Sequence, residues 1–144
     1  MKRCVWKILV ICLCCIAQGV GAQTGKIYTT DMGLSSSLIN QIFQDKQGFV
    51  WVATEYGLNK FDGLRFTNYR HVSADSSSIK NNYVRTLFED SRCNLLIGCI
   101  DGLMKYDRET DTFLEIPMFR AGKRVFPHIT QMQELHNGEI WMTT

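Results

Sequence analysis

Displaced against itself by 45 positions, this sequence brings Phe43 and Asp45 onto Phe88 and Asp90, and Gly57, Leu58, Lys60 and Asp62 onto Gly102, Leu103, Lys105 and Asp107. Displaced by 90, it brings Ile39, Gly48 and Trp51 onto Ile129, Gly138 and Trp141, with Thr54 meeting Thr144. A recurrence of about 40–50 residues holding several short strands is the mark of small sheets arrayed around an axis. The period therefore predicts an all-β fold of β-propeller blades: two complete four-stranded blades plus a partial third, an incomplete propeller fragment.

Each unit reads alike. Ile39 to Gln44 is a short apolar-rich segment bounded by turn formers, with one and a half turns of helix as the competing reading. Asp45-Lys46-Gln47-Gly48 then suits a hairpin loop containing glycine. Phe49 to Thr54 is a β-rich run fit for a strand buried on both faces. Leu58 to Asp62 and Arg65 to Tyr69 supply a third and a fourth strand. The second unit repeats the order with VRTLFED, NLLIGCI, LMKYD and TFLEI, and its last hairpin is two residues longer, so Phe66 corresponds to Phe113. The resulting division is a signal segment at 1–22, a lead-in at 23–37, blades at 38–70 and 83–116 with an inter-blade loop at 71–82, and a truncated third repeat at 117–144. Ile27 and Tyr28 in the lead-in are expected to pair as a short strand with a part of the sheet missing from this sequence.

The first 22 residues bear on charge and compartment. Lys2, Arg3 and Lys7 precede an apolar run from Ile8 to Ala17, and Val20-Gly21-Ala22 places small residues where a signal peptide is cut. The alternative is an uncleaved anchor helix. Removal at Gln23 takes three of 16 basic residues and leaves 13 against 14 acids, a net charge near −1. No basic stripe is then left to suggest nucleic acid. Cys93 and Cys99 remain, the first on a turn and the second at the end of the next strand, too far apart for a disulfide. Both are expected to be free thiols.

The repeated positions read as structural. Gly48 and Gly138 lie at a tight turn that favours positive φ, and Cys93 at their place predicts a slightly different turn in the second unit. Gly57 and Gly102 serve the next reversal. Asp45 and Asp90 are suited to hold turn amides, and Asp62 and Asp107 to open the following hairpin. Trp51, Leu96 and Trp141 share a register position and are expected to be buried between blades. Tyr56, its loop counterpart Asp101, and Arg85 near the start of the second unit are the candidate ligand-binding residues. A lone arginine there suits binding a carboxylated glycan as well as catalysis. No nucleophile elbow, phosphate loop or metal spacing of His71, His128 and His136 occurs, so no catalytic, cofactor or metal site is expected.

DKQGFVWVATEYGLNKFDG, residues 45–63, resembles the repeat of the two-component regulator propeller family, roughly D-x-x-G-x-hydrophobic-W-hydrophobic-G-T-x-x-G-L-x-x-hydrophobic-D. MGLSSSLINQIFQD and DSSSIKNNYVRTLFED resemble the starts of its repeats. Ala53 stands for the usual glycine, and Leu96 and Cys99 for the tryptophan and threonine. The resemblance implies the exported, periplasmic sensor region of a hybrid histidine kinase anchored in the inner membrane. It implies as partners the remaining blades and the kinase domains of the parent, with an oligosaccharide ligand controlling polysaccharide-utilisation genes. A homodimeric parent is expected. The rival readings are a truncated gene remnant, an interaction scaffold or a propeller enzyme.

Overall fold

A computed structural model describes residues 25–144. The signal segment lies outside the described residues. Four strands, β1 (Ile39–Gln44), β2 (Val50–Thr54), β3 (Gly57–Phe61) and β4 (Phe66–Tyr69), form the first sheet. A second sheet contains β5 (Val84–Glu89), β6 (Leu95–Cys99), β7 (Gly102–Asp107) and β8 (Thr112–Ile116). Both sheets follow chain order, every neighbour antiparallel. The hairpin β9 (Met118–Arg120) and β10 (Lys123–Val125) precedes a two-stranded third sheet of β11 (Gln131–Glu134) and β12 (Ile140–Thr143). Ile39 to Gln44 is thus a strand, held by its pairing with β2, where so short a helix would be marginal.

The second strands form the densest part of the core. Trp51, Ala53, Leu95, Ile97 and Cys99 are completely buried, as the continuous apolar runs of β2 and β6 require. Trp51 packs across the gap between sheets, stacked on Tyr69 at 6.0 Å and edge-on to Tyr106 of the second sheet at 4.8 Å. Gly98 marks the closest approach of the third unit. A Cβ there would come within 2.6 Å of Thr86 Cγ2 and 3.0 Å of Ile129, so only glycine lets Ile129 settle, with its N–H donating to Cys99 O at 3.2 Å.

One expectation is corrected. Trp141 is 64% exposed, not buried. Its register mate Trp51 is covered by Tyr106 from the following sheet, whereas among the described residues no sheet lies beyond the third to cover Trp141. The turn at Cys93 differs slightly from that at Gly48, as expected, with φ 65° against 92°, while keeping its hydrogen bonds. Cys93 N–H donates to Asp90 O at 3.1 Å, as Gly48 N–H donates to Asp45 O at 2.9 Å. The turn's hydrogen bonds impose left-handed backbone on a residue that disfavours it, at a cost of about 1–2 kcal/mol. Ile27 and Tyr28 pair with no strand among the described residues. The lead-in instead seats the Tyr28 ring edge-on against Phe61 and Phe66, at 4.9 and 5.7 Å.

Burial separates two residues that share a register. Trp51→Ala should destabilise the chain by about 3–5 kcal/mol, and Trp141→Ala by less than about 1 kcal/mol. Urea unfolding of the two variants at low protein concentration measures the difference.

Candidate functional site

The two complete sheets meet through a buried polar network that starts at Asp45. Its Oδ1 accepts the amides of Gln47 at 3.0 Å and Phe49 at 2.9 Å, closing the β1–β2 turn. Its Oδ2 accepts Trp51 Nε1 at 2.9 Å and Arg108 Nη1 at 2.8 Å. Arg108 comes from the β7–β8 turn, and its Nη2 donates to Glu89 Oε1 at 2.8 Å. Glu89 Oε2 in turn accepts the Lys46 amide of the first sheet at 2.8 Å. The Asp45 and Glu89 side chains are essentially inaccessible, at 0% and 2% exposure. Burial pushes the Asp45 carboxyl pKa up, but the bonds from Trp51, Arg108 and the Phe49 amide outweigh it and hold it below the ordinary 3.8.

The same arrangement recurs with substitutions. Asp90 Oδ1 accepts the Arg92 and Asn94 amides at 3.0 and 2.7 Å, and where Leu96 replaces the tryptophan, Asn94 Nδ2 takes over the second oxygen at 2.7 Å. Glu134 repeats the role of Glu89, accepting the Ser91 amide at 2.7 Å. In the third unit Leu135 stands in the aspartate's place, so no carboxylate holds that turn. Asp62 Oδ1 accepts the Leu64 and Arg65 amides, both at 2.8 Å, and Asp107 Oδ1 that of Glu109 at 3.0 Å.

Toward the axis, β5 contacts both β1 and β11. Gln41 acts there as a side-chain strand segment: its Oε1 accepts the Leu87 amide at 2.7 Å, and its Nε2 donates to Leu87 O at 3.0 Å. The ladder is interrupted at one equivalent place in each complete sheet, between Ile39 and Gln41 and between Val84 and Thr86. The extra residues are Asn40 and Arg85. A bulge of this kind re-aims a side chain away from the sheet. Asn40 Nδ2 donates to Val84 O at 2.8 Å. Arg85 is exposed and has no ion-pair partner among the described residues. It lines an open groove of about 840 Å³ together with Asn40, Gln41, Thr130, Gln131 and Gln133. Phe43, Phe88, Met132 and Trp141 add apolar surface to this lining, and a cation and amides beside it can bind an anionic ligand that carries both hydroxyls and apolar ring faces.

Tyr56 and Asp101 are on the turns after β2 and β6. Ile39 pairs with Thr54 and Val84 with Cys99, so these turns lie at the end where β1 and β5 begin, the end that also holds Arg85. They do not line the groove, and no hydrogen bond joins the three candidates among the described residues. Tyr56 is 59% exposed, its amide held by Thr54 Oγ1 at 3.1 Å. Asp101 Oδ2 accepts from Asn81 Nδ2 at 3.2 Å. Cys93 and Cys99 are free. Burial, aided by the charge of Asp101, pushes the Cys99 thiol up to about 12, which leaves it a protonated core residue and not a nucleophile. Among the described residues no cluster of three His, Cys, Asp or Glu is placed to hold a metal.

Sequence reasoning missed Gln41, Glu89, Arg108 and Glu134. The spacing held part of the signal, since Glu89 and Glu134 are 45 apart and Gln41 and Gln131 are 90 apart.

Sheets built in this order around a shared set of first strands define part of a β-propeller. Residues 33–56 match the family model described as a two component regulator propeller. Histidine kinase P4 of Formosa agariphila is 52% identical over 54 residues, 38% of this chain and 4% of that protein. The extracellular domain of a hybrid two component system from B. thetaiotaomicron is 31% identical, with a TM-score of 0.71, over 83% of this chain and 17% of its own. A second extracellular domain from that organism, 23% identical with a TM-score of 0.65, shares the fold over 74% of this chain and 15% of its own. The chain thus spans a small part of each relative. No helix among the described residues is long and apolar enough to cross a membrane.

The network makes acid stability depend on Asp45. Its folded-state pKa is depressed, so the stabilisation is complete above the unfolded pKa near 4 and is lost as pH falls through the lower folded value. Asp45→Asn should flatten this acid limb and reduce stability at pH 7. Urea midpoints from pH 7 down to about pH 2 read both effects.

Proposed function

We propose that this chain is the ligand-sensing propeller portion of a hybrid two-component histidine kinase, exported to the periplasm, with an oligosaccharide as its ligand. Signalling would run through kinase domains outside this chain, in a parent anchored in the inner membrane and acting as a homodimer. The output would be control of polysaccharide-utilisation genes. The repeat family and the 31% identity to a hybrid-system extracellular domain support the class.

One observation favours ligand binding within these residues. The bulge at Val84/Thr86 holds the Arg85 guanidinium at the groove beside Asn40, Thr130 and Gln131, with no carboxylate of the protein paired to it among the described residues. Guanidinium binds carboxylate in bidentate fashion, and amides and hydroxyls exchange hydrogen bonds with sugar hydroxyls. Tyr56 and Asp101 would extend the contact surface at the same end of the sheets. Asn40, Thr130 and Gln131 replace the charged groups that acid–base chemistry at this position would use, so binding is favoured over turnover.

Arg85→Ala removes a charge-assisted contact worth about 1.5–3 kcal/mol, so binding of a carboxylated oligosaccharide such as a trigalacturonate should weaken by about 10–100-fold. Thermal stability should hardly move, because the side chain is exposed. Calorimetric titration tests this. Equal affinity in the wild type and the variant would contradict the site, and absence of oligosaccharide binding to the wild type would contradict the sensing role.

A further inference from the structure

The hairpin β9–β10 belongs to no blade. It replaces, within 117–128, the polar linker 71–82 that joins the first two units. It carries Arg120, Lys123 and Arg124 and no acid. Ala121 at φ 50° and Gly122 at φ 75° form its two-residue turn, both in the left-handed region, which is the geometry of a type I′ connection. This turn sets Arg120 directly opposite Lys123. Cross-strand partners have Cβ atoms about 4.5–5.5 Å apart, and like charges so placed are destabilising. A lone two-stranded hairpin is marginal in water, so a like-charged pair at its tip works against folding.

The base of the hairpin is secured by other groups. Arg124 Nη2 and Lys80 Nζ share Glu115, at 2.8 and 2.5 Å, and Lys80 Nζ lies 4.0 Å from the centre of the Phe126 ring. Glu115 is thereby engaged twice, and Arg120 and Lys123 have no ion-pair partner among the described residues. Alternation along the strands puts Arg120 and Lys123 on one face and Phe119, 65% exposed, on the other. Arg124 lies directly opposite Phe119 on that second face, but its guanidinium is committed to Glu115. Arg120 and Lys123, side by side with no carboxylate of their own, suit a chain bearing successive anionic groups.

We propose that the tip of the β9–β10 hairpin is a contact site for a polyanionic saccharide, one carrying sulfate or carboxylate groups on successive sugars. The inference rests on the sensing role above and narrows its ligand to an acidic polysaccharide. The bound anions relieve the repulsion between Arg120 and Lys123, and binding weakens steeply with salt because both cations are solvent-exposed.

The test is titration of the whole chain with a heparin hexasaccharide and with neutral maltohexaose, for the wild type, the R120A/K123A double variant and Arg85→Ala. The expected result is salt-dependent binding of the sulfated probe, weakened about tenfold or more in R120A/K123A, with no tighter binding of the neutral one. Unchanged affinity in R120A/K123A together with a loss in Arg85→Ala would overturn the hairpin site and leave the sensing role standing. Failure of the wild type to bind either probe would overturn both. Equal wild-type binding to vesicles of anionic phospholipid, lost in R120A/K123A, would assign the hairpin to membranes and overturn the saccharide. The two positions are exposed and flank a turn, so circular dichroism should show the fold retained.

Discussion

Asp45 is the group on which the junction of the first two sheets depends. It is buried as an anion, and burial alone would drive it to neutrality; the Trp51 indole, two turn amides and Arg108 make its charge tolerable. Each donor is itself committed to the architecture. Trp51 fills the inter-sheet space, the amides close a hairpin, and Arg108 brings Glu89 across to the Lys46 amide. Removing one partner of such a network leaves an uncompensated buried charge, a loss of about 3–5 kcal/mol. The second sheet solves the same problem with different residues, since Asn94 supplies the donor that Leu96 cannot.

This junction fixes what lies closer to the axis. With the sheets held at Glu89 and Arg108 on one side, Gln41 bonds both polar groups of Leu87 on the other, so β1 and β5 are joined by a side-chain amide in place of a ladder. Their spacing at the bulges follows from that bond. Asn40 closes onto Val84 O, and Arg85, one repeat later, is left at the groove. Position in the array thus decides role: one register place is a staple in the first sheet and an exposed cation in the second.

Much of the fold was legible because strand, turn and repeat signals agreed. The strands of both complete sheets follow from the apolar runs and from turn aspartates and glycines at fixed offsets. Side-chain surroundings were less legible where they depend on a neighbouring sheet. Trp141 carries the same local sequence signal as Trp51 and differs only in what covers it. Cys93 departs from the glycine turn only slightly, as its residue type suggested, because the hydrogen bonds of Asp90 hold the same connection. The β9–β10 hairpin escaped notice because its strands are three residues each, too short for periodicity to register. Arg85 stood out by composition, but its bulge is a register property that only the paired strands reveal.

Side-chain clasps between sheets, and not strand ladders, make the first two units one cooperative structure. Native-state hydrogen exchange reads this coupling at the Lys46 and Leu87 amides, because both are donated to side chains of the other sheet, Glu89 and Gln41. Both amides should be protected with the same opening free energy as the buried ladder amides of β2 and β6. Exchange at Lys46 and Leu87 by local fluctuation, far faster than in β2 and β6, would show that the sheets open independently and would contradict the coupling.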